Sequence, residues 1–579
     1  MQTRLARESV HSVARALALV TLALVTVPGA AAQAAEEADA PEAEGSGGLQ
    51  FSWTNTVRYN AAFRVEGADR QLLGNPNLDD GDRNFDTGLV SNRLELLSEL
   101  DAVAANGWGA RVSALGWYDT VYNQDNDNPG FQGGAFPNHT SEQFNEFTEK
   151  TRDLHGRRIE LRDAFVFGRA DIGDTALTMR LGQYALVWGE SLFFAQNAIA
   201  GGQSAFDIGR LLADPTAQAK EFVLPVPQAS AQLQVTPTLT LGAYYQFRYR
   251  ENRLPAVGSY LSTMDVAVDG AERLLLQPPF SADRTGDIDP SDSGQFGVQL
   301  RWRVAETDIG FYAIRFHDKD FQQVVRLGLV NVAPGAPAPV FVVMPTSYYL
   351  TWNEDTTAYG VSASRSFGEV NVAMEASIRK DQALASAGHA ADASALAPPG
   401  VIPGSDNNDH PAYAVGDTAH VNASAIWSLG PSALWREALF IGEVAWNRML
   451  NCNLNCKSPA PGAAPALDSN ASRDAVSMRF VFEPTYRQVF SGLDLGVPLG
   501  VGYTPKGSRS VLGPSFPPED GGDVTLGLNA TYNQVWRINL AYTAFFGTAA
   551  PALDAAQSFS YQQSRADRDF LSLSVRRSF

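Results

Sequence analysis

The feature of this chain that most constrains its fold is a period of two in hydropathy, sustained over stretches of roughly ten to sixteen residues. From Phe296 to Val304, large apolar side chains alternate with glycine, glutamine and arginine, and the stretch from Leu239 to Arg250 repeats the pattern. A soluble sandwich needs only short strands around a shared core. Long strands with one apolar and one polar face therefore predict a β-barrel in lipid.

The connections between these stretches give a second argument, because they alternate between tight and long. The tight ones lie at 171–173, 236–238, 306, 368 and 534, while the others run for roughly 18 to 40 residues. Outer-membrane barrels join their strands by short periplasmic turns and long extracellular loops. The sequence thus predicts an all-β fold, a transmembrane antiparallel β-barrel of the Gram-negative outer membrane, with about 18 strands (roughly 16 to 18).

The first residues have the pattern of an export signal. Arginines precede an apolar stretch at 16–27, and Ala32-Gln33-Ala34 supplies a small-residue cleavage motif. A membrane anchor is the alternative, but an apolar core of about a dozen residues is shorter than the roughly 20 that a span needs. We predict a signal peptide at 1–34, an acidic disordered leader at 35–48, and the barrel at 49–579, without a transmembrane helix in the mature chain.

Charge and cysteine content exclude several classes of protein. With 44 basic and 63 acidic residues the net charge is −19, which offers no basic footprint for nucleic acid. Two cysteines exclude a disulfide scaffold. Because the chain is exported and the loop around them holds no further histidine or cysteine for zinc, Cys452 and Cys456 are predicted to form a local disulfide.

Acidic residues recur in the long loops, as at Asp79, Asp80 and Asp82 and at Asp125 and Asp127. The sequence lacks the spacing of an EF-hand, so these clusters favour a solvated outer surface bridged by divalent ions over a dedicated metal site. Motifs of hydrolases, metalloproteases and phosphate-binding loops are missing as well. We therefore predict no catalytic residues, no metal and no cofactor, and a protein that is not an enzyme.

A barrel of about 18 strands encloses a water-filled bore, which needs a constriction if it is to be selective. The third long loop, at 188–227, is the candidate, because its apolar content is unusual for an exposed connection. A loop that caps the barrel from outside or packs on another protomer is the alternative. Inward folding would bring to the lumen the constriction residues Trp188, Glu190, Ser191, Phe193, Phe194 and Phe206.

Polar and basic side chains on the strands beside this loop are predicted to line the pore. Rings of arginine favour anionic solutes, although the same guanidinium groups can instead pair with lumenal carboxylates and hold the loop. The predicted pore-lining residues are Arg180, Gln246, Arg248, Arg250, Gln299, Arg301, Arg303 and Arg315. The last strand alternates up to Phe579, and an aromatic in this place resembles the signal that the barrel-assembly machinery reads.

Several short segments resemble one proteobacterial family along essentially the whole mature chain. They are Leu181-Gly182-Gln183, Trp188-Gly189-Glu190-Ser191, Lys220-Glu221, Pro225-Val226-Pro227, Tyr244-Tyr245-Gln246-Phe247, Asp567-Arg568-Asp569-Phe570 and Ser572-Leu573-Ser574-Val575. The chain resembles the family catalogued as domain of unknown function 1302 (DUF1302). The resemblance implies an outer-membrane protein of unsettled function, often found beside a protein of unknown function 1329 and an inner-membrane resistance-nodulation-division type transporter.

Three functions remain open on the sequence. The first is an outer-membrane channel for hydrophobic or anionic organic compounds of steroid, terpene, aromatic or lipid-like type. The second is a non-conducting accessory barrel of an envelope lipid or sterol transport system, and the third is an outer-membrane hydrolase. The expected partners are outer-membrane lipid and lipopolysaccharide, a small organic solute and the barrel-assembly machinery.

Overall fold

The computed structural model describes residues 48–173, 175–213, 219–335, 337–386, 388, 390–457, 465–511 and 516–579. The predicted signal peptide, and the leader up to residue 47, lie outside the described residues. The strands of the main sheet are β1 Gln50–Arg64, β2 Gly88–Val103, β3 Gly109–Asp119, β4 Arg157–Ile172, β5 Thr175–Tyr184, β6 Val226–Thr236, β7 Leu239–Gln246, β8 Phe296–Val304, β9 Thr307–Phe316, β10 Thr356–Phe367, β11 Val370–Ala383, β12 Val415–Leu429, β13 Glu437–Leu454, β14 Asp474–Phe490, β15 Leu493–Gly496 with Leu499–Lys506, β16 Gly521–Tyr532, β17 Trp536–Phe546 and β18 Phe570–Ser578.

Each of these strands pairs antiparallel with its neighbours in sequence, and the first and last close the ring. Thr56 lies opposite Ser578, and the pairing of β1 with β18 continues to Arg64 and Phe570. The prediction of a closed antiparallel barrel of 18 strands is confirmed.

One barrel strand, β15, is interrupted. Val497 and Pro498 separate its two segments, and both segments pair with β14 on one side and β16 on the other. Proline has no backbone N–H to donate to the ladder, so Pro498 fits at this break.

The two faces of the wall follow the predicted alternation. Phe296 and Trp302 are 44% and 47% exposed on the outside, whereas Gly297 and Gln299, which alternate with them, are buried on the inside. An apolar outer face with a polar interior is the arrangement of a barrel that faces lipid. No helix in the described part of the chain is long and apolar enough to cross a membrane.

One rim carries the short turns, and we call the other the long-loop rim. Its loops are named here in order: L1 65–87, L2 120–156, L3 185–225, L4 247–295, L5 317–355, L6 384–414, L7 455–473, L8 507–520 and L9 547–569. The predicted alternation of tight and long connections is therefore observed. It places all nine loops where they can cover or enter the bore.

The loops carry secondary structure of their own. A second sheet joins strands of L4, L5 and L6, namely Arg273–Leu275, Ser281–Arg284, Gln322–Asn331, Phe341–Thr351 and Ala391–Asp392, and L3 holds the pair Ala205–Phe206 and Val223–Leu224. The α-helices are Asp80–Arg83, Glu149–Thr151, Ala200–Gln203, Ile208–Ala213 and Ala219–Phe222. Shorter turns are the 3-10 segments Leu72–Gly74, Gln132–Gly134, Ala195–Asn197 and Ser394–Leu396 and the π segment Arg152–Gly156.

Candidate functional site

L3 leaves the end of β5 and enters the bore. Trp188 is buried, with its ring centroid 4.9 Å from that of Tyr244 and 6.3 Å from that of Tyr312, two aromatic residues on the inner faces of β7 and β9. Ile199 belongs to the same buried cluster. A loop that capped the barrel from outside would not reach these side chains, so this part of the chain forms the centre of the candidate site.

Two buried carboxylates on the wall hold the tip of L3. Glu443 on β13 accepts hydrogen bonds from the backbone N–H groups of Leu192 and Phe194, each at 3.0 Å, and from that of Phe193. Glu375 on β11 accepts from the N–H of Glu190 at 2.9 Å. Breaking buried hydrogen bonds would leave their polar groups unpaired, which is costly, so these contacts fix the loop in the bore.

Amide and aromatic contacts continue this attachment. Asn197 donates to Asn422 at 2.9 Å and pairs with His420 at 3.0 Å, both on the inner face of β12. Phe194 packs edge-on against Phe516 with ring centroids 5.3 Å apart. The first half of L3 is thus bonded to the wall from β11 to β13.

The second half of L3 turns to another part of the wall through ion pairs. Arg210 lies 2.6 Å from Glu95 on β2, and Glu221 lies 2.6 Å from Arg58 on β1. Phe206, which packs on Phe222, is buried between these two attachments. L3 therefore crosses the lumen and contacts widely separated strands of the ring.

A cavity of about 130 Å³ lies beside this second half, between the inner faces of β1, β2, β3, β17 and β18 and the loops L2, L3 and L4. One part of its lining is aromatic or aliphatic, as at Trp117, Leu261 and Phe570, and another is hydroxylic, as at Ser572 and Ser574. The cavity is amphipathic, which suits a small organic molecule with one polar end.

Charged groups close the cavity on one side. The guanidinium of Arg93 stacks 4.4 Å from the centroid of Trp117, and its Nε lies 2.7 Å from Glu95. Arg253 in L4 lies 3.0 Å from Asp207 and 2.9 Å from Glu160. Burial alone would lower the pKa of Arg253, but these two carboxylates raise it, so the guanidinium stays charged.

His155 in L2 also lines the cavity and accepts a hydrogen bond from the backbone N–H of Ala256 in L4 at 3.0 Å. Burial, with a smaller contribution from Arg93 and Arg253, lowers the pKa of His155 to about 3. A neutral ring can accept this bond through Nε2, whereas a protonated ring cannot. The link between L2 and L4 therefore depends on an uncharged imidazole.

Acid should loosen this link. The folded pKa of His155 lies below its ordinary value of about 6.5, so its contribution to stability is complete above that pH and is lost as pH falls toward about 3. We expect hydrogen exchange in the segment 255–262 to rise at pH 4.5 relative to pH 7, after correction for the intrinsic rate. In His155→Gln, whose amide oxygen accepts without titrating, the rise should disappear, and an unchanged rise there would contradict the assignment.

The structure places most predicted pore-lining residues on the inner wall, though not along an open pore. Gln246 is buried and donates to the carbonyl of Gln203 in L3 at 2.7 Å, and Gln299 is buried on β8. Arg180 faces inward, 5.8 Å from the ring of Phe165. Arg301 and Arg303 share the inner parity of β8, with Arg303 paired to Asp308 beside the short-turn rim.

Arg315 is a correction, since it lies on the outer face. It stands opposite Phe296 in the pairing of β8 with β9, and directly opposed residues point to the same side of a sheet. The tight turn places odd-numbered residues of β8 opposite even-numbered residues of β9. Since the odd-numbered residues of β8 point inward, the inward residues of β9 are even-numbered. Arg315 pairs instead with Asp355 at 2.6 Å near the long-loop rim.

Arg248 and Arg250 are a second correction, because β7 ends at Gln246 and neither lies on a strand. Arg248 is exposed in L4. Arg250 reaches back to Glu160 on β4 at 2.6 Å and donates to the carbonyl of Pro225 at 2.8 Å. Arg250 thus holds the end of L3, the structural role that the sequence left open for these arginines.

Two further predictions concern the loops and the last strand. Cys452 and Cys456 are joined as a disulfide, with their Cα atoms 5.9 Å apart. Phe579 is exposed, and its backbone exchanges two hydrogen bonds of 2.9 Å with Asn55. Recognition of Phe579 by the barrel-assembly machinery stays a prediction.

The expectation of solvated acidic clusters is wrong for Asp79, Asp80 and Asp82, which are all buried. Their short helix lies under L4 and L9 instead of facing solvent. Asp82 forms ion pairs with Arg568 at 2.9 Å and Arg64 at 3.1 Å, so the loops close over the cluster.

The carboxylates that hold L3, Glu375 and Glu443, are not among the site residues predicted from the sequence. Both lie at inward positions of strands, in the same alternation of polar and apolar residues from which the pore-lining arginines were predicted. A lone carboxylate on the polar face of a long strand was therefore the available signal. The sequence does not show which backbone N–H groups would donate to such a carboxylate.

Comparison with known proteins identifies the family of this chain. The model of the family described as "Protein of unknown function (DUF1302)" matches residues 13–579. A search of curated proteins found no match.

Three solved structures illustrate what this chain is similar to. OccAB1 of Acinetobacter baumannii gives a TM-score of 0.42 at 10% identity, covering 93% of this chain and 99% of that one. OccD3 (OpdP) of Pseudomonas aeruginosa gives 0.40 at 10%, covering 96% and 98%. The outer membrane channel DcaP of Acinetobacter baumannii gives 0.36 at 10%, covering 92% and 99%.

Proposed function

This chain belongs to the DUF1302 family, and on that premise we propose that it is an outer-membrane channel for small hydrophobic or anionic organic compounds. The observation that carries the proposal is the crossing of the lumen by L3. Its hydrogen bonds to Glu375 and Glu443 and its ion pairs with Glu95 and Arg58 hold it across the bore, and a cavity of about 130 Å³ lies beside it. The long-loop rim would then face the outside of the cell.

The cavity suggests the class of solute. A cavity of about 130 Å³ is close in size to one of ~150 Å³ that admits benzene in another protein. Trp117 supplies an aromatic lining that would hold a ring. Arg93 and Arg210 are both paired with Glu95, so a solute carboxylate would bind them by competing with Glu95. Small aromatic acids fit this lining at rest, while larger steroid-like or terpene-like compounds would require L3 or L4 to move.

Filling the cavity with a large side chain should reduce the passage of solute while the barrel stays folded. Ser572 lines the cavity from the inner face of β18, so Ser572→Phe should lower benzoate permeation into proteoliposomes severalfold. Ala423 on the outer face of β12 is the matched control, because Ala423→Phe adds the same ring toward lipid. Equal permeation through both variants would show that the solute does not pass the cavity.

A second function is favoured by the packing of the lumen itself. Buried clusters around Trp188 and Phe206 pack L3 tightly inside the barrel, which suits a barrel that docks other envelope proteins and conducts little. The protein of unknown function 1329 and an inner-membrane transporter would then be its partners. Single-channel recording on the purified barrel distinguishes the two functions, since the accessory barrel would show no conductance and no benzoate permeation.

A further inference from the structure

Three long loops bring a histidine and three carboxylates together beneath the long-loop rim. Asp79 and Asp80 come from L1, His139 from L2 and Asp265 from L4, and all four side chains are buried. His139 Nδ1 lies 3.1 Å from Asp80 Oδ2, and the backbone N–H of Asp80 donates to Asp265 Oδ2 at 3.0 Å. One ligand atom from each of Asp80, His139 and Asp265 lies within 4.8 Å of the other two.

Several polar atoms of this cluster are not satisfied by the protein. Within the part of the chain that the structure describes, Asp265 Oδ1, His139 Nε2 and Asp79 Oδ1 are buried without a hydrogen-bond partner. Asp265 and His139 are fully buried, so solvent cannot supply the missing partners at their surfaces. Each unsatisfied group in a folded protein calls for an explanation, and an ion that the protein binds is one of them.

The charge of the cluster points the same way. The two nearby arginines pair with other carboxylates: Arg83 with Asp79 at 2.9 Å, and Arg568 with Asp82. Asp80 and Asp265 therefore face one another beside His139. Buried charges in proteins are paired or bind metals, so two carboxylates buried side by side favour a cation between them.

The backbone that presents the ligands is held rigidly. Gly81, between Asp80 and Asp82, packs so closely on the carbonyl oxygens of Ser259 and Ser262 in L4 that a Cβ would collide with both. Arg568 donates to the carbonyl of Ser262 as well. Ligands fixed in this way keep their mutual geometry, which is what a preorganised metal site requires.

We infer that Asp80, His139 and Asp265 bind a divalent first-row transition metal ion, which joins L1, L2 and L4 over the bore. An imidazole with two carboxylates suits ions such as Zn²⁺ or Mn²⁺, whereas Ca²⁺ and Mg²⁺ prefer oxygen ligands throughout. Asp79 would stand behind this set as a further acceptor. The site is independent of the proposed transport, since none of its ligands lines the cavity.

Zinc binding to the full-length barrel tests the inference. Tag-free protein in detergent is stripped with a chelator, equilibrated with micromolar Zn²⁺, and analysed for bound metal by mass spectrometry. We expect about one ion per chain for the wild type, and a loss of at least roughly tenfold in affinity for His139→Ala and for Asp265→Asn. His410→Ala is the matched control, because His410 forms an exposed pair with Asp406 at 3.3 Å and should not affect the ion.

A second measurement covers variants that fail to fold. In the wild type, Zn²⁺ should slow hydrogen exchange in the segments 76–85, 136–142 and 262–268 together, and a chelator should reverse the effect. Four results would each overturn the inference. They are a wild type that binds no Zn²⁺, a His139→Ala variant that retains the ion, a His410→Ala variant that loses it, and unchanged hydrogen exchange in these segments.

Discussion

A barrel in which a short Gly-Ser linker replaces residues 192–220 is expected to conduct ions severalfold better than the wild type and to lose discrimination among solutes. The reason is that L3 is the segment that crosses the bore, from Glu443 on one part of the wall to Glu95 on another. Without it, inward carboxylates would face water in a wide lumen. Single-channel recording and proteoliposome permeation measure both effects.

The control is a deletion of similar kind in a loop that does not enter the bore. The segment between Gln322–Asn331 and Phe341–Thr351 in L5 offers such a site, because residues 334, 335 and 337–340 are exposed. Shortening this segment should leave conductance unchanged. If the L3 variant keeps its heat-resistant migration on gels but conducts like the wild type, the constriction lies elsewhere.

Asp82→Asn is expected to cost about 3–5 kcal/mol of local stability, because it leaves the buried guanidinium of Arg568 without its charge partner and removes one of the two carboxylates that Arg64 contacts. Arg568 binds Asp82 through two hydrogen bonds, at 3.0 and 2.9 Å, and Arg64 adds a third at 3.1 Å. Both guanidinium groups are almost fully buried, so water cannot replace the carboxylate. The loops L1, L4 and L9 meet here and should open together.

Limited proteolysis and thermal unfolding of the folded barrel would measure this loss. Asp86→Asn is the matched control, since Asp86 belongs to the same loop and is exposed. It should change stability by no more than about 0.5 kcal/mol. Similar protease sensitivity of the two variants would show that the network around Asp82 does not hold the loops.

The wall of the barrel was predictable because strand alternation is local. Neighbouring side chains on a strand point to opposite faces, so Phe296 and Gln299 could be assigned to lipid and lumen from sequence alone. Arg315 was misplaced because a turn of two residues decides which parity of the next strand faces inward. A register shift of one residue exchanges the two faces, and hydropathy near a rim is too mixed to detect it.

The interior of the barrel was less predictable, because its contacts join residues far apart in the chain. The carboxylate of Glu443 meets backbone N–H groups some 250 positions earlier, and a backbone donor leaves no mark on the sequence. Asp82 appeared to belong to a solvated loop for a similar reason. Only the convergence of L1, L4 and L9 buries it, and no single loop shows that convergence.

The pairing of β1 with β18 has a consequence for biogenesis. L3 belongs to the first half of the chain, but its hydrogen-bond acceptors lie on β11 and β13, which follow it in sequence. The strand β18, which closes the ring on β1, also follows it. The wall must therefore be completed around a segment that has already been synthesised, or the segment must enter through the long-loop rim afterwards. In either order, strand pairing that joins residues so distant in sequence is intrinsically slow, and an incomplete wall exposes two unpaired edges. Variants that weaken the anchors of L3 should consequently be examined for their yield of assembled protein as well as for their conductance.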